Sequence, residues 1–377
     1  MTNYPTLAKL MLVSLTTLAA AASAAGADYF IYYGSPNGGT GKGVSLGHFN
    51  SATGALTKPD LAAPADGAGF FTFSADGKHF YTAYALKDTL AAYERDPKTG
   101  ALKLLNTKPT DGGDPCHVSL DKTGHYLLVA NYAGGNADIY ALQPDGSLGN
   151  RTAQIQLTGS SIDPVRQTKS YGHCIITDPT NHFVLVADLG SDKVAIYKFN
   201  EKDGTVTPNT PAFGTLKPGT GPRHLLFSPN GKVLYVIGEM GGTITAFNWD
   251  ATKGSLTEFQ NISTLPADFK GTNTDAELMI HPNGKFLYAS ARGHDSIAVF
   301  SIDPASGKLA LVQDVPMRGK TPRYFTFDPT GKWIVAGSQG DNNAAVFSVD
   351  DKTGKMTPVG DPITVDAPIC IGFQPVP

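Results

Sequence analysis

Four side chains in this sequence, His173, Arg223, Glu239 and Arg292, are of types that together can bind an anion and transfer a proton. Guanidinium groups form paired hydrogen bonds with carboxylate or phosphate oxygens and stabilise a developing oxyanion. A histidine close to a glutamate can accept and return a proton at neutral pH. These residue types predict acid–base chemistry on an anionic substrate, with no covalent nucleophile required.

Two other chemistries are weaker interpretations of the same residues. His117, His173 and His224 with Glu239 could hold zinc, but no two of these histidines have His-x-His or His-x-x-x-His spacing. Residues 43–47 match the Gly-x-Ser-x-Gly pattern of hydrolases, yet that motif needs a following helix, and we predict a strand here. We therefore expect no metal, no cofactor and no catalytic serine.

The three cysteines, Cys116, Cys174 and Cys370, are an odd number, so at least one thiol is unpaired in an exported chain. All three fall at the starts of predicted inner strands. Nothing in their spacing from histidines is diagnostic of a catalytic thiol. We expect buried free thiols.

Composition limits the possible partners of the chain. Its 377 residues carry a formal net charge of −3, and no basic run favours nucleic acid or an anionic membrane surface. The 42 glycines and 26 prolines suit many short strands joined by turns. We expect a small-molecule partner, such as a carboxylate, and a monomer.

The first 27 residues differ from the rest of the chain. Lys9 precedes an apolar stretch, 10–22, that is followed by small-x-small sites ending at Ala24 and Ala27. This pattern is typical of a secretory signal peptide, and the alternative is a disordered tail. The stretch is too short for a comfortable membrane span. The sequence thus predicts a protein exported to the periplasm or the medium, with a signal peptide at 1–27 and a single mature domain at 28–377.

A repeat of roughly 50 residues predicts the fold. Six copies contain a strand end, a tight turn and a second apolar strand, with the turn residue at 77, 124, 181, 231, 284 and 331. In the fifth unit we predict strands at 223–228, 233–238, 243–248 and 256–263. A Thr/Ser-Gly-x-Leu phrase recurs between third and fourth strands, where glycine supplies the positive φ of a hairpin.

The first unit lacks its first strand, and the C-terminus supplies a match. Residues 28–34 align with a second strand, whereas Ile369-Cys-Ile-Gly-Phe aligns with the first strand beginning at Arg223. Six full units and one split unit predict an all-β, seven-bladed propeller of four-stranded blades. The C-terminal strand should close the ring in blade one and leave no free sheet edge there.

Two alignment columns break the repeat with polar chemistry. First-strand starts and second-strand ends should meet at one rim of the channel, because the second strand returns to the face from which the first began. First-strand starts are Cys116-His117, His173-Cys174, Arg223-His224, Glu277-Leu278, Arg323-Tyr324 and Ile369-Cys370; second-strand ends are Tyr84-Ala85, Asn131-Tyr132, Asp188-Leu189, Gly238-Glu239, Ala291-Arg292 and Ser338-Gln339. A different polar residue in nearly every blade favours a functional rim over a merely hydrated channel lining.

Arginine usage supports the functional interpretation of this rim. The chain has seven arginines, and Arg223, Arg292 and Arg323 occupy the two columns. Arg166 lies in a long insertion, 158–171, just before His173. We expect this insertion to lie over the channel mouth, where loops commonly set specificity.

At these columns the sequence resembles the seven-bladed propeller lactonases, the family of propeller-type 6-phosphogluconolactonase and fungal carboxy-cis,cis-muconate cyclase. The resemblance runs from about residue 110 to 372 and, by repeat spacing, back to about 28. The matching phrases are Asn131-Tyr132-Ala-Gly-Gly, Arg166-Gln167, His173, Asp188-Leu189-Gly190-Ser-Asp192, Gly219-Thr-Gly-Pro-Arg223-His224, Glu239, Ala276-Glu277, Arg292-Gly-His294, Pro322-Arg323 and Pro368-Ile-Cys370-Ile.

The resemblance implies a lactone hydrolase similar to 6-phosphogluconolactonase, with His173, Arg223, Glu239 and Arg292 as the catalytic set. Two departures from the family pattern lie at the rim, Ala291 and Ser338, where asparagine is usual. Further implied substrate contacts are Asn131, Tyr132, Arg166, His117, Asp188, His224, Glu277, Arg323 and Gln339. A muconate-type lactonising enzyme and a non-catalytic exported binding protein remain as alternatives.

Overall fold

The computed structural model describes residues 28–35, 43–64 and 67–377, so the predicted signal peptide lies outside the described residues. Blade 1 begins with β1 (Asp28–Gly34), β2 (Gly43–Asn50), β3 (Ala55–Leu56) and β4 (Asp60–Pro64). Blade 2 contains β5 (Ala68–Phe73), β6 (His79–Tyr84), β7 (Thr89–Arg95) and β8 (Leu102–Pro109), with one 3₁₀ turn at Ala85–Lys87. Blade 3 contains β9 (Pro115–Leu120), β10 (Tyr126–Asn131), β11 (Asn136–Leu142) and β12 (Leu148–Gln156).

Blades 4 to 7 repeat the same four-stranded unit. Blade 4 contains β13 (Gly172–Thr177), β14 (Phe183–Asp188), β15 (Lys193–Asn200) and β16 (Thr205–Thr215). Blade 5 contains β17 (Pro222–Phe227), β18 (Val233–Gly238), β19 (Thr243–Asp250) and β20 (Ser255–Ser263). Blade 6 contains β21 (Thr274–Ile280), β22 (Phe286–Arg292), β23 (Ser296–Ile302) and β24 (Leu309–Pro316). Blade 7 contains β25 (Pro322–Phe327), β26 (Trp333–Ser338), β27 (Asn343–Val349) and β28 (Met356–Thr364).

The last strand, β29 (Cys370–Pro375), closes the ring. It pairs antiparallel with β1, with Gly372 opposite Tyr32 and Cys370 opposite Gly34. In every blade each strand pairs with its neighbour in sequence, apart from this closure and the paired pieces β3 and β4 on β2. The predicted seven-bladed, all-β propeller is confirmed, and the four strands predicted for the fifth unit end within two residues of those observed.

The hydrophobic core lies between the blades. Strand β10 is buried along its whole length, and its alternate side chains pack in the two interfaces with the neighbouring blades. Leu127 and Val129 pack with blade 2, whereas Leu128 and Ala130 pack with blade 4. Because side chains alternate across a strand, a strand covered on both faces is apolar at most of its consecutive positions. The continuous apolar runs in the sequence therefore mark strands between two neighbouring blades.

The repeated turns adopt the backbone conformation that their glycines allow. Gly100 and Gly354 have φ values of 71° and 72°, in the left-handed region that glycine enters without strain. In the fourth blade the equivalent of the second-strand turn glycine is Asn181, with φ 63°. Asparagine tolerates this region better than most residues, which explains the one exception among the six turn positions.

At the end of the blades away from these turns, aspartates accept hydrogen bonds from the segments that lead into the inner strands. The Asp192 carboxylate accepts the N–H groups of Gly219 and Gly221 at 2.7 and 2.6 Å. Asp295 accepts the N–H of Thr321 at 2.8 Å, and Asp88 that of Asp114 at 2.7 Å. Each of these bonds joins one blade to the next, immediately before an inner strand begins. They fix where the inner strands start, and hence the rim.

Candidate active site

Irregular pairing at the start of the inner strands defines the rim. In blades 2 to 7 the register between first and second strands shifts at this end of the pair. The residues left between paired positions are Gly69 and Phe70, Cys116, His173, Arg223 and His224, Ala276 and Glu277, and Arg323. Bulges of this kind bend a strand and re-aim its side chains, and they are common beside active sites. Most of the predicted first-strand site residues are therefore bulge residues.

A cavity of about 220 Å³, here called the arginine cavity, lies at this rim. Its lining residues come from the inner strands, from the second-strand ends and from the insertion. They are Asp114, Cys116, Tyr132, Arg166, His173, Glu239, Arg292 and Arg323. Three of the four predicted catalytic residues line it, and Arg223, which is 3% exposed, lies directly behind Glu239. The structure thus brings together residues that are more than 100 positions apart in sequence.

Glu239 is the centre of the cluster. Its Oε1 accepts a bond of 2.6 Å from Arg166 Nη2. Its Oε2 lies 3.0 Å from both Arg223 Nε and Arg292 Nη2. The Glu239 side chain follows the end of β18, and its backbone N–H is held by the carbonyl of Gly221 at 2.8 Å. One carboxylate therefore binds three guanidinium groups from three different elements.

The charges in this cluster explain the direction of the pKa shifts. Burial on its own would raise the pKa of Glu239, but Arg292, Arg223 and Arg166 together lower it to about 2. Burial lowers the pKa of Arg292 to about 9, with repulsion from Arg223 as the next cause and Glu239 opposing. Glu239 is consequently ionised at neutral pH and a weak base. Its chemical role is that of a counter-ion.

Arg323 leaves the cavity with excess positive charge. It lines the cavity, yet no carboxylate of the described residues lies within ion-pair distance of it. Burial and repulsion from Arg223 lower its pKa to about 10. Asp114 is the second acid in the lining, and burial raises its pKa. An anion in this cavity would be attracted by Arg323 without displacing an existing ion pair.

His173 is the residue of the cavity best suited to accept a proton. It is 4% exposed, and its Nε2 lies 3.8 Å from Glu239 Oε2, too far for a direct hydrogen bond. Its Nδ1 is buried without a hydrogen-bond partner within the described part of the chain. Burial, then repulsion from Arg223, lowers the pKa of His173 well below its usual 6.5. The imidazole is therefore neutral at pH 7.

The insertion between β12 and β13 contributes to the cavity through Arg166. Besides Glu239, Arg166 Nη2 contacts the Tyr132 hydroxyl at 3.2 Å. The insertion is fixed by the fully buried Gln167, whose Nε2 donates to the Leu189 carbonyl at 2.9 Å. Asp188 also holds it, accepting from Ser170 Oγ at 2.6 Å and from the Tyr171 N–H at 2.9 Å. This explains how a long irregular segment can present one side chain accurately.

Six predicted substrate contacts do not line the arginine cavity, and Asp188, Asn131 and Gln339 are three of them. Asp188 is turned towards the insertion, as described above. Asn131 is fully buried and donates to Asp138 Oδ2 at 2.8 Å. Gln339 is half-buried at the same rim, where its backbone N–H donates to the Thr321 carbonyl at 3.0 Å. Sequence alignment placed these residues at the rim but did not show the direction of their side chains.

His117, His224 and Glu277 lie in a second cavity of about 310 Å³, here called the inner cavity, further along the inner strands. Its other lining residues are Phe70, Cys174, Leu225, Leu226, Leu278, Met279, Ile280 and Tyr324. The rings of Phe70 and His117 are 4.6 Å apart, and His224 contacts both His117 and His173 at 5.2 and 5.4 Å between centroids. His224 thus lies between the two cavities.

The sequence analysis assigned no substrate contact to Asp114 or Cys116, which both line the arginine cavity. One feature of the sequence could have indicated Asp114. It precedes the proline that opens an inner strand, and it is charged, whereas the equivalent residues Gly221 and Thr321 are not.

All three cysteines are free, and Cys174 and Cys370 are buried as predicted, whereas Cys116 is partly exposed. Burial raises the pKa of the Cys116 thiol, which argues against a thiolate nucleophile.

The described residues show no arrangement for a metal ion and no membrane-spanning helix. Within 28–35, 43–64 and 67–377, no group of three or more His, Cys, Asp or Glu side chains is arranged to hold a metal ion. No helix in this part of the chain has the length and hydropathy needed to cross a membrane. The Gly-x-Ser-x-Gly stretch lies in β2 and is followed by strands, without the helix that the hydrolase motif needs.

Comparison with known proteins gives one consistent family. The family model described as lactonase, 7-bladed beta-propeller matches residues 30–373. The 6-phosphogluconolactonase of Bacillus subtilis is 34% identical over 350 residues, which cover 92% of this chain and 98% of that protein. The crystal structure of a putative 6-phosphogluconolactonase from Bacteroides fragilis has a TM-score of 0.87 at 32% identity and covers 93% and 99% of the two chains. The periplasmic gluconolactonase of Pseudomonas aeruginosa has a TM-score of 0.88 at 28% identity and covers 93% and 100%.

Proposed function

The chain belongs to the lactonase family of seven-bladed β-propellers, and from that premise we propose that it hydrolyses the lactone ring of a sugar-derived or anionic substrate in the arginine cavity. The observation that carries this proposal is the charge arrangement at Glu239. Three guanidinium groups bind its single carboxylate, Arg323 is left without one, and a neutral histidine lies 3.8 Å away. Such a site favours an anion that forms during reaction.

Substrate binding depends on the excess positive charge. Arg323 and Arg292 present guanidinium groups to the cavity, where a carboxylate, a phosphate or a developing oxyanion can accept paired hydrogen bonds. Arg166 reaches the same cavity from the insertion, and Tyr132 adds a hydroxyl group. Because the product of lactone hydrolysis is itself a carboxylate, the same groups would bind substrate and product.

His173 is assigned as the general base. A water molecule hydrogen-bonded to His173 Nε2 would also lie near Glu239 Oε2, given the 3.8 Å between these atoms. His173 takes one proton of this water while its oxygen bonds to the lactone carbonyl carbon, and the carbonyl oxygen becomes the oxyanion. When the bond to the ring oxygen breaks, the imidazolium returns the proton to that oxygen. The products are a hydroxyl group and a carboxylic acid, which ionises.

Glu239 and Arg223 support this proton transfer without taking part in bond changes. The ionised Glu239 stabilises the imidazolium that forms on His173, because opposite charges at this separation attract strongly in a buried site. Its pKa of about 2 makes it a poor proton acceptor, so His173 is preferred as the base. Arg223, buried behind Glu239, holds Oε2 in place at 3.0 Å.

The natural substrate is proposed to be an aldonolactone met outside the cytoplasm. The apolar stretch at 10–22 with its small-x-small sites supports export. One of the similar structures is a periplasmic gluconolactonase, whereas the Bacillus subtilis relative is a 6-phosphogluconolactonase. A sugar-phosphate lactone made in the cytoplasm would not normally reach an exported enzyme. We therefore propose an unphosphorylated sugar lactone first and its phosphate ester second, acted on by a monomer whose single domain is 28–377.

The test is acid release from a panel of lactones by the purified chain. Glucono-δ-lactone, its 6-phosphate ester and a muconolactone with free carboxylates are compared against spontaneous hydrolysis, with the Arg223→Ala/Glu239→Gln double variant as the inactive reference. Glu94→Gln serves as the matched control, because Glu94 is exposed and pairs only with the exposed Lys103 among the described residues. We expect hydrolysis of a sugar lactone by the wild type and by the Glu94 variant.

Other outcomes separate the alternatives. Ring closure of a muconate, without sugar lactone hydrolysis, would identify a lactonising enzyme. Binding of a lactone or carboxylate without turnover would identify a binding protein. Full activity in the double variant would remove the arginine cavity from the mechanism.

A further inference from the structure

A buried pair, His224 and Glu277, lies on the far side of Arg223 from Glu239. Both side chains are about 4% exposed. His224 Nδ1 is 3.1 Å from both carboxyl oxygens of Glu277. His224 Nε2 is 3.2 Å from Arg223 Nη1. A continuous chain of contacts therefore runs from Glu277 through His224 and Arg223 to Glu239, the residue that faces His173 in the arginine cavity.

The hydrogen-bond partners determine the tautomer of His224. An arginine Nη1 can only donate, so His224 Nε2 must carry a lone pair to accept from it. The ring proton is then on Nδ1, from which it is donated to Glu277. With the opposite tautomer, two N–H donors would face each other at 3.2 Å in a buried site. The acceptor on Glu277 is thus what makes the observed tautomer favourable.

Arg223 is held at two points on one end of its guanidinium group. Nη1 donates to the Ala276 carbonyl at 2.6 Å as well as to His224. Nε then donates to Glu239 Oε2 at 3.0 Å. Because the group is planar and rigid, fixing Nη1 also fixes the direction of Nε. The contacts that Arg223 makes with Ala276 and His224 therefore fix its orientation towards Glu239.

Glu277 is itself fixed by the bulge in which it lies. Its Oε1 accepts the Leu278 N–H at 2.9 Å, and its own N–H donates to Ser290 Oγ at 3.1 Å. Neighbouring rings restrict His224: Phe70 and His173 lie 5.6 and 5.4 Å from it between centroids. Both side chains of the pair are therefore held by several contacts.

Building on the lactonase function proposed above, we propose that Glu277 and His224 are positioning residues, which fix the imidazole tautomer that anchors Arg223 and so hold Glu239 towards His173. Neither residue touches the substrate. This role differs from the substrate contact that the family resemblance implied for both. The juxtaposition of the two bulges, Arg223–His224 and Ala276–Glu277, creates the arrangement.

The directions of the pKa shifts of His224 and Glu277 are consistent with this geometry. Burial, then repulsion from Arg223, lowers the pKa of His224 well below 6.5, so the ring is neutral and keeps its lone pair. Burial raises the pKa of Glu277 to about 8, with Arg223 opposing. In either protonation state a Glu277 oxygen can accept from Nδ1.

The first test compares Glu277→Leu with Glu277→Gln. Leucine removes the acceptor and leaves a buried N–H without a partner, so His224 should change to the Nε2–H tautomer and release Arg223. We expect kcat to fall at least 10-fold and KM to change less than about 3-fold. The glutamine carbonyl can still accept from Nδ1, so this variant should stay within about 3-fold of the wild type. Equal impairment of both variants, or a fully active leucine variant, would overturn the proposal.

The second test reads the tautomer directly. Nitrogen-15 NMR of histidine-labelled protein distinguishes Nδ1–H from Nε2–H for His224, assigned by its loss in His224→Phe. We expect Nδ1–H in the wild type and in Glu277→Gln, and Nε2–H in Glu277→Leu. An Nε2–H wild type would overturn the proposal whether or not the leucine variant folds. Because this readout needs no turnover, it also separates failure of the positioning role from failure of the proposed lactonase activity.

Discussion

The two cavities are lined by successive residues of the same inner strands, yet one is rich in arginine and the other is largely apolar. The arginine cavity has Arg166, Arg292, Arg323 and Glu239 in its lining. The inner cavity is lined largely by apolar residues such as Leu225 and Leu278 to Ile280. In blade 5 the change occurs between neighbours, since Arg223 contacts Glu239 and His224 lines the inner cavity.

The difference shows what the bulges at the strand starts do. In a regular strand, consecutive side chains point to opposite faces, so Arg223 and His224 could not both point towards the cavities. The register shift between Pro222 and Leu225 lets both residues oppose one position of β18. The arginines lie at the arginine cavity, and after the bulge the strand returns to apolar residues. The following predictions test this division.

Loss of the imidazole in the arginine cavity should have the largest effect. His173→Asn should reduce kcat by about 10²- to 10⁴-fold, because no other neutral base lines the described cavity. His182→Asn is the matched control, since His182 is exposed in the repeated turn of blade 4. Steady-state kinetics on the best lactone of the panel provides the measurement. A drop of less than about 10-fold would assign the base elsewhere.

Glu239→Gln should reduce both activity and stability. The amide leaves Arg166, Arg223 and Arg292 without a counter-ion, a change that typically costs about 3–5 kcal/mol in a buried site. The direction of the pH dependence follows from the lowered pKa of Glu239, which is about 2 against an ordinary value of 4.5. Its stabilising effect is present above about pH 4.5 and is lost as the pH falls towards 2.

Denaturant unfolding of wild type and Glu239→Gln between pH 7 and pH 2 measures this dependence. The difference in free energy of unfolding should be largest at neutral pH and shrink through the acid range. A difference that stays constant with pH would mean that the carboxylate charge does not stabilise the cluster.

Arg323→Gln should mainly weaken binding. A charge-assisted hydrogen bond contributes about 1.5–3 kcal/mol, so KM for an anionic lactone should rise about 10- to 100-fold. The effect on KM should be smaller for a neutral lactone and should decrease at high salt. Arg318→Gln is the control, because Arg318 pairs with the exposed Asp361 away from the cavity. Equal effects of the two substitutions would show that Arg323 does not bind the anion.

Met279→Leu in the inner cavity should have the smallest effect. Met279 is partly buried, and this volume-conserving change should alter the free energy of unfolding by less than about 1.5 kcal/mol. We expect kcat/KM to stay within about 2-fold of the wild type. A large loss of activity with a normal thermal midpoint would mean that substrate enters the inner cavity, and the division between the two cavities would have to be redrawn.

The fold followed from the sequence because its determinants are local and repeated. Six turn motifs, the apolar second strands and the split first unit predict seven blades and the closing strand, and both are present. The prediction of a 6-phosphogluconolactonase-like lactone hydrolase is confirmed at the level of family by its relatives. The particular lactone, export and the roles of single residues stay predictions.

The sequence by itself also selected the rim, because Arg223, Glu239 and Arg292 depart from a repeat that is otherwise apolar. Which of these residues share a cavity was decided by the tertiary structure. Alignment treats Arg223 and His224 as one column, whereas Arg223 contacts Glu239 and His224 lines the inner cavity, and Asp188 turns to the insertion. The size of the register shift is set by how the two strands pair in each blade, because one residue is left between paired positions in blade 4 and two in blade 5. The tertiary structure therefore decided which polar residues share the arginine cavity and which line the largely apolar inner cavity.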